Sequence, residues 1–219
     1  MTHVILPASA ASSPPGRARE GASRVVVTGG PGGGKTTAAE LFRREIGERV
    51  IVVPESATLL YSGGFPRSSG HAASCAAQRA IYAVQRNLED VQAALYPDRI
   101  LLCDRGTLDG VAYWPGPAED YFVAVGSSLE AELARYDAVI FFETAAAGGI
   151  SIEGGNPVRT ESNEDALHLD ASLRAVWARH PRFTLVPHQA SFVKKILLGL
   201  VALESFVGQA ERPVSPSQR

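Results

Sequence analysis

The sequence predicts a three-layer α/β fold built on a mainly parallel sheet. Short runs of apolar residues alternate with segments of helical periodicity along the chain. Apolar runs without polar alternation suit strands that are buried on both faces, as in a parallel sheet covered by helices. Strands that alternate with helices predict βαβ units, whose ligands gather at the carboxyl ends of the strands.

Five strands and four long helices account for this pattern. The strands are rich in valine, isoleucine, leucine and phenylalanine, and are expected at Arg24–Thr28, Val50–Val53, Ile100–Cys103, Ala138–Phe142 and Phe183–Val186. The helices carry apolar residues three or four positions apart, a spacing that buries one helix face in the core. They are expected at Thr36–Ile46, Ala72–Leu95, Asn163–His180 and Ser191–Phe206.

The same pattern sets the domain boundaries. Residues 23–208 are long enough for one domain with one hydrophobic core. Residues 1–22 are rich in proline, serine and arginine and lack the apolar area that offsets the entropy of ordering, so we expect a disordered arm. Residues 209–219 contain further prolines and serines and are expected to form a flexible tail.

Composition and charge exclude several classes of protein. With 21 lysines and arginines against 23 aspartates and glutamates, the net charge of -2 predicts no nucleic-acid or anionic-membrane partner. No run of 18 apolar residues provides a membrane span, and two cysteines cannot build a disulfide framework. Because no basic residue precedes the short apolar patch Val4–Leu6, we expect no secretory signal and a cytoplasmic location, with a transit peptide as the alternative.

A glycine-rich motif follows the first predicted strand and opens the first helix. It matches G-x-x-x-x-G-K-[ST], a pattern in which backbone N–H groups and a helix N-terminus surround nucleotide phosphates. Lys35 is expected to reach the β- and γ-phosphates, and Thr36 to ligate Mg²⁺. A glycine-rich turn without a ligand is the alternative, but chance matches are rare in a chain with only three lysines. The predicted nucleotide-binding residues are Gly29, Gly30, Pro31, Gly32, Gly33, Gly34, Lys35, Thr36 and Thr37.

Three further polar residues follow predicted strands. Asp104 comes after the third strand, where a Walker B carboxylate would serve the metal ion, and the adjacent Arg105 suits a phosphate. The alternatives are an aspartate that caps the next turn and a solvated surface arginine. Glu55 follows the second strand, where it would act as general base toward a substrate hydroxyl, unless it is only the polar end of a strand.

A glycine-rich segment lies between the fourth strand and the next helix. Its residues 148–155 are expected to form a lid that closes over the nucleotide and excludes water. Arg159, near the end of this segment, would then approach the transferring phosphoryl group. The alternative is that Arg159 only leads into the helix that Ser162 and Asp165 begin.

Five sequence segments, spread over about residues 24–196, carry a resemblance to a known family. They are V-V-V-T-G-G-P-G-G-G-K-T-T, V-V-P-E-S-A, D-R-G-T-L-D-G, N-P-V-R-T-E-S and W-A-R-H-P-R-F. They resemble the P-loop ATPase and kinase family that contains the nicotinamide riboside kinase domain of NadR and the TRP-translocation-defect proteins. Such chains are often described as AAA family ATPases.

The resemblance implies a nucleoside-kinase-like core of the adenylate-kinase type, with strand order 2-3-1-4-5 and a lid. Deoxynucleoside and thymidylate kinases carry a glutamate after the second strand and an acidic–arginine pair after the third, which match Glu55 and Asp104–Arg105. A glutamine that reads the base in related kinases matches Gln78, with Gln85 and Arg86 on the same helix as alternatives. The arginine-dense lid of deoxynucleoside kinases has no counterpart in this sequence.

Other classes of active site lack their motifs. No lysine is followed two positions later by aspartate, as guanine-specific GTPases require, so ATP is favoured and GTP stays an alternative. The sequence has no G-x-S-x-G motif of serine hydrolases, and its histidines and cysteines lack the spacing of a zinc site.

Two functions remain. The first is a Mg²⁺-dependent enzyme that transfers the γ-phosphoryl group of ATP to a hydroxyl of an unidentified nucleoside- or nucleotide-like acceptor. Its catalytic residues would be Lys35, Glu55, Asp104, Arg105 and Arg159. The second is a nucleotide-dependent regulatory ATPase that hydrolyses slowly and acts through a partner. The presence of Glu55 together with the Asp104–Arg105 pair favours the enzyme.

Overall fold

A five-stranded parallel sheet forms the centre of the protein. The computed structural model describes residues 22–67, 69–149 and 162–210, and the side chains of 209 and 210 are not described. The strands, in chain order, are β1 (Ser23–Thr28), β2 (Val50–Val53), β3 (Ile100–Asp104), β4 (Ala138–Phe142) and β5 (Phe183–Val186). They lie in the order β2-β3-β1-β4-β5, and all neighbours pair in parallel. The predicted fold class and strand order are confirmed.

Helices cover both faces of the sheet. In the described residues they are α1 (Lys35–Ile46), α2 (Ser56–Ser62), α3 (His71–Leu95), α4 (Asp109–Ala112), α5 (Ala118–Val125), α6 (Leu129–Leu133), α7 (Asn163–Trp177) and α8 (Phe192–Ala210). The sequence predicted α1, α3, α7 and α8. It missed α2, α4, α5 and α6 because helices of four to eight residues are too short to show a periodic apolar face.

Two predicted helix ends differ from the structure. Helix α7 ends at Trp177 rather than His180, whose Nε2 donates to the backbone oxygen of Tyr136 at 2.9 Å instead of continuing a helical face. Helix α8 continues past Phe206 to Ala210. At the other end of α7, Ser162 and Asp165 form a capping box, as the sequence suggested.

The sheet separates two hydrophobic clusters. Val25 and Val27 of β1 point to one face, where they pack in a cluster with Phe42 of α1 and Leu203 of α8. Val26 points to the opposite face and belongs to a second cluster with Trp177 of α7. Successive strand residues are thus buried on opposite faces, which is why the strands read as unbroken apolar runs.

The strand register brings the polar strand ends together. Val27, one residue before the end of β1, pairs with Asp104 at the end of β3. Val53, the last residue of β2, pairs with Cys103. The glycine-rich loop after β1 therefore shares one edge of the sheet with Asp104 and with Glu55, which follows β2.

The helices and the two cysteines of the described region bear on the membrane span and the disulfide framework considered above. Among its helices, none combines the length and the hydrophobicity that a membrane span needs. Cys75 and Cys103 are both free thiols, and Cys103 is buried in β3. Burial is the main cause that raises the pKa of Cys103 well above its ordinary value, so this thiol stays protonated.

Candidate active site

The glycine-rich loop has a backbone that disfavours side chains, and Gly29 and Gly34 show this most clearly. Gly29 has a φ of 132°, and a Cβ atom there would lie 2.0 Å from the carbonyl oxygen of Phe142. Gly34 has a φ of 84° and is the N-cap of α1. Both glycines are needed because left-handed backbone and such close contact disfavour any larger residue.

Two residues from other elements support this loop. The Asp170 carboxylate of α7 accepts hydrogen bonds from the backbone N–H groups of Gly30, at 2.8 Å, and Thr144, at 2.9 Å. The Thr144 hydroxyl in turn donates to the backbone oxygen of Pro31 at 2.5 Å. The loop is thereby fixed to the end of β4 and to α7, which pre-organises it for phosphates.

The side chain of Lys35 lies inside the loop. It is 3% exposed, and its Nζ donates to the backbone oxygen of Gly30 at 2.7 Å. A buried ammonium group held among backbone amides suits an anionic phosphate. The structure thus places Lys35 inside the loop, and its phosphate-binding role stays a prediction.

Asp104 has the properties of a metal ligand. It is 4% exposed, and the Thr36 hydroxyl is a hydrogen-bond partner of its side chain. Its Oδ1 is buried and has no hydrogen-bond partner among the described residues. Burial, followed by the charge of Glu55, raises the pKa of Asp104, while Thr36, Lys35 and Arg105 oppose that rise.

The residues present would suit a Mg²⁺ ion that is shared with bound phosphates, rather than a metal ion held by protein ligands alone. An unpaired carboxylate oxygen next to an exposed threonine hydroxyl gives hard oxygen donors at the nucleotide loop, which Mg²⁺ prefers together with phosphate oxygens. Within the described ranges, no three His, Cys, Asp or Glu side chains cluster as a metal site. The contacts of Asp104 also do not match the alternative of a residue that only caps a turn.

Arg105 and Glu55 form a partly buried ion pair. The Nε of Arg105 lies 2.5 Å from Glu55 Oε1, and Oε2 of Glu55 accepts from the Thr58 hydroxyl at 2.6 Å. Arg105 is 8% exposed, which differs from the solvated surface arginine of the alternative interpretation. Burial by itself would lower the pKa of Arg105, but Tyr113, Glu55 and Asp109 raise it well above its ordinary value.

Asp109 is a polar centre that the sequence analysis did not single out. Its carboxylate accepts from Arg105 Nη1 at 2.8 Å, from Trp177 Nε1 at 2.7 Å, and from the Thr28 hydroxyl at 2.8 and 2.9 Å. The signal was present in the segment D-R-G-T-L-D-G, where Asp109 follows Arg105 by four residues. Its partners on β1 and α7 are too distant in sequence to be inferred from it.

A cavity of about 160 Å³ opens beside the loop and this ion pair. Pro31 of the loop lies on its wall, as do Glu55 and Arg105. The rest of the wall is rich in aromatic residues, which are Tyr61, Tyr82, Tyr113 and Tyr121. A pocket with an aromatic lining and a few convergent charged groups is typical of small-molecule sites.

The three polar candidates on α3 occupy different environments. Gln78 is 9% exposed and lines the cavity. Gln85 also reaches the cavity, but its amide is used in hydrogen bonds to Ser56, Glu89 and Arg105. Arg86 binds Tyr82 and Glu132 and is not part of the wall. Gln78 is therefore the better placed of the three to contact a ligand.

The prediction for Arg159 and most of the predicted lid lies outside the described residues. Only Gly148 and Gly149 of segment 148–155 are described, and they end a short 3₁₀ turn after β4.

A phosphate-binding loop on a 2-3-1-4-5 parallel sheet, with a carboxylate at the end of β3, defines a P-loop nucleotide-binding protein. A family model described as an AAA domain matches residues 24–192, which is most of the chain, so the protein belongs to that family. A comparison with curated proteins gives no match.

The chain is also similar to a solved thymidylate kinase structure from Ehrlichia chaffeensis. The TM-score is 0.57, and the match covers 86% of this chain and 99% of that one. Sequence identity is 13%, so the similarity supports the fold alone. Family and fold agree with the expectation of a P-loop ATP-dependent phosphotransferase or ATPase.

Proposed function

We propose that this protein is a kinase that transfers the γ-phosphoryl group of ATP to a hydroxyl group of a nucleoside- or nucleotide-like acceptor. The observation that carries the proposal is the cavity beside the phosphate loop, which places Glu55 and Arg105 on one aromatic-lined wall. A protein that only bound or hydrolysed a nucleotide would need no cavity for another substrate beside the phosphate loop.

The loop, Lys35, Thr36 and Asp104 would hold the nucleotide. The loop amides and Lys35 would bind the phosphates, while Thr36 and Asp104 would hold Mg²⁺. When bound, Mg²⁺ neutralises charge that develops on the phosphate oxygens. The bracing of the loop by Asp170 and Thr144 keeps these groups in place before ATP arrives.

Glu55 would act as general base. The acceptor hydroxyl would lose its proton to Glu55 while its oxygen forms a bond to the γ-phosphorus and the bond to the β–γ bridging oxygen breaks, which releases ADP. Arg105 would orient Glu55 and offset negative charge near the phosphoryl group. Arg159, predicted from the sequence, would add a second positive charge there.

The tyrosine-rich wall favours a planar ring in the acceptor. Tyr82 and Tyr121 contact each other edge to face, with ring centroids 6.2 Å apart, and Trp114 contacts Tyr121 at 5.6 Å. Aromatic side chains of this kind pack well against the flat base of a nucleoside, and Gln78 would donate and accept hydrogen bonds with its polar edge. The resemblance to the NadR kinase domain makes nicotinamide riboside one acceptor to include in a screen.

Product analysis tests this function. The full-length protein is incubated with Mg·ATP and pools of nucleosides, nucleoside monophosphates and sugars, and mass spectrometry then searches for an acceptor heavier by one phosphoryl group. We expect one class of nucleoside-like compound to be phosphorylated with equal release of ADP. Release of ADP and phosphate without a phosphorylated product from any pool would contradict the proposal.

A variant pair connects the activity to the cavity. Glu55→Gln is expected to lower turnover by about a hundredfold while ATP affinity changes little, because it removes the base but leaves the loop intact. Glu48→Gln serves as the matched control, since Glu48 lies on the surface with a 94% exposed side chain. Full turnover by Glu55→Gln would show that Glu55 has only a structural role.

One observation favours the alternative, a slow nucleotide-dependent regulatory ATPase. Both carboxylate oxygens of Glu55 already have partners, Arg105 and Thr58, so an incoming hydroxyl or water must share an oxygen with them. Such a site would hydrolyse ATP slowly, and the bound nucleotide would then control a partner. In either case we propose a cytoplasmic location, where ATP is supplied.

A further inference from the structure

We propose that Asp109 is a positioning residue that holds the guanidinium of Arg105, and through it Glu55, in the orientation needed for phosphoryl transfer. This inference rests on the proposed kinase function for the role of Glu55, but its structural part can be tested without any acceptor. Asp109 also borders the cavity, but both of its carboxylate oxygens already accept hydrogen bonds from Thr28, Trp177 or Arg105, so we assign it a role through Arg105 and not on the substrate.

The Asp109 carboxylate is anchored independently of Arg105. Oδ1 accepts from Thr28 at the end of β1 and from Trp177 at the end of α7, while Oδ2 accepts from Thr28 and from Arg105. The residue is 5% exposed. Because β1 and α7 belong to the packed core, the carboxylate has a fixed position against which Arg105 is oriented.

Arg105 needs such support because its backbone is in an unfavourable conformation. Its φ is 71°, and it is the one non-glycine residue with positive φ in the described part of the chain. A non-glycine residue in this region is strained and persists only where its surroundings fix it. The backbone N–H of Arg105 donates to Val27 at 3.0 Å, which holds the main chain while the carboxylates hold the side chain.

The guanidinium lies between two carboxylates. Nε faces Glu55 at 2.5 Å and Nη1 faces Asp109 at 2.8 Å. Guanidinium is planar, so fixing two of its nitrogen atoms fixes the direction of the whole group. Without Asp109 the guanidinium would keep Glu55 and the Tyr113 ring, whose centroid is 5.8 Å away, but would lose its second fixed nitrogen. It could then rotate, and both Arg105 and Glu55 would lose their orientation toward the cavity.

The arrangement also explains why residue 106 is glycine. A Cβ atom on Gly106 would lie 2.8 Å from the Trp177 ring and 2.9 Å from Val26. The close approach of the chain to Trp177 is what allows the indole N–H to reach Asp109. The residues around Arg105 are thus packed so that the Asp109 contacts are made.

The test measures how fast the Hε proton of the Arg105 side chain exchanges with solvent. In the full chain labelled with ¹⁵N, the Arg105 Nε–Hε signal is assigned by its loss in Arg105→Lys, and its exchange with solvent is measured. We expect Asp109→Asn to accelerate that exchange about tenfold or more, because the side chain loses one of its two charged partners. An unchanged exchange rate would overturn the proposal, whatever the enzyme's activity.

Steady-state kinetics provides the functional readout. Once an acceptor that the parent phosphorylates is known, Asp109→Asn is expected to lower kcat about tenfold or more while KM for ATP changes less than about threefold. Faster exchange of Arg105 with unchanged kcat would overturn the positioning role. If no acceptor is phosphorylated by the parent, the proposed function fails, and the exchange measurement still decides whether Asp109 holds Arg105.

Two further variants separate positioning from stability. Asp137→Asn is the matched control, since Asp137 accepts a backbone hydrogen bond from Arg24 at the opposite end of the sheet. It is expected to lower stability without changing Arg105 exchange. If Asp109→Asn does not fold, Thr28→Val removes the hydroxyl that anchors Asp109 and keeps its charge. Arg105 exchange should then rise, and an unchanged rate would equally overturn the proposal.

Discussion

Replacing Asp104 by asparagine is expected to stabilise the nucleotide-free protein and to weaken its complex with Mg·ATP. In the protein the Oδ1 of Asp104 is buried and has no hydrogen-bond partner among the described residues. A buried acceptor without a partner costs about 1–3 kcal/mol, and a charged one costs more. Asparagine keeps the shape of the side chain and removes the charge. Recovery of about 1 kcal/mol would raise Tm by about 2–4 °C for a domain of this size.

Bound nucleotide should reverse the order of stability. A ligand at a hundred times its Kd stabilises the folded protein by about 2.7 kcal/mol. If Asp104→Asn lowers Mg·ATP affinity at least about tenfold, the gain at the same concentration falls to about 1.4 kcal/mol or less. The difference exceeds the 1 kcal/mol advantage estimated above. The variant should therefore melt above the parent without ligand and below it with Mg·ATP.

The advantage of Asp104→Asn should depend on pH. The folded protein raises the pKa of Asp104 from its ordinary 3.8, mainly through burial. At pH values between 3.8 and the raised pKa, the folded state binds more protons than the unfolded state. This group therefore makes the free energy of unfolding fall as pH rises. The Tm difference between variant and parent should therefore be full above the raised pKa and shrink as pH falls toward 3.8.

Differential scanning calorimetry at several pH values, with and without Mg·ATP, measures all of these quantities. Asp98→Asn is the control, because Asp98 is exposed in the loop before β3. A nucleotide-free Asp104→Asn protein that melts below the parent would refute the reasoning about the unpaired oxygen. Equal stabilisation of variant and parent by Mg·ATP would refute the metal role.

Three further changes test other parts of the site. Lys35→Ala should weaken Mg·ATP binding at least tenfold in calorimetry with the fold intact, and equal affinity would contradict the phosphate-loop interpretation. Asp170→Ala leaves two backbone N–H groups without their acceptor, so the free energy of unfolding in urea should fall by about 2–4 kcal/mol, and an unchanged value would contradict the bracing role. Burial lowers the pKa of Lys195 from 10.5 to about 8, so the unfolded state binds more protons between these values. The stability of the parent relative to Lys195→Met should accordingly rise over that pH range in urea titrations, and parallel curves would contradict it.

The sequence was sufficient to predict the sheet and the main polar residues of the site. Strands buried on both faces leave continuous apolar runs, and the carboxyl ends of parallel strands meet at one edge, so Glu55 and Asp104 could be placed next to the P-loop without a structure. Lys35 was identified because its motif, a glycine-rich loop directly before a helix, has a geometry that suits phosphate binding. These predictions depend on local sequence and on one general property of parallel sheets.

The missed residues act through contacts that sequence does not encode locally. Asp109 binds Thr28, which is 81 residues away, and Asp170 binds Gly30, which is 140 residues away. Each lies in a helical segment where an aspartate usually faces solvent. Only the packing of α4 and α7 against the loop turns them inward. The ion pair of Glu55 with Arg105 was equally invisible, although both residues were named.

The division of the core into two clusters has a consequence for how mutations will affect the protein. Helix α1, which carries Lys35 and Thr36, packs through Phe42 into one cluster, whereas the chain around Leu108 and Trp177, next to Arg105, packs into the other. A random library scored separately for ATP affinity and for acceptor use should thus split by sheet face. Conservative packing changes near Phe42 would raise the ATP concentration that the protein requires. Those near Leu108 would mainly narrow or shift the range of acceptors. The position of a core mutation, on one face of the sheet or the other, would therefore predict which of the two substrates it affects.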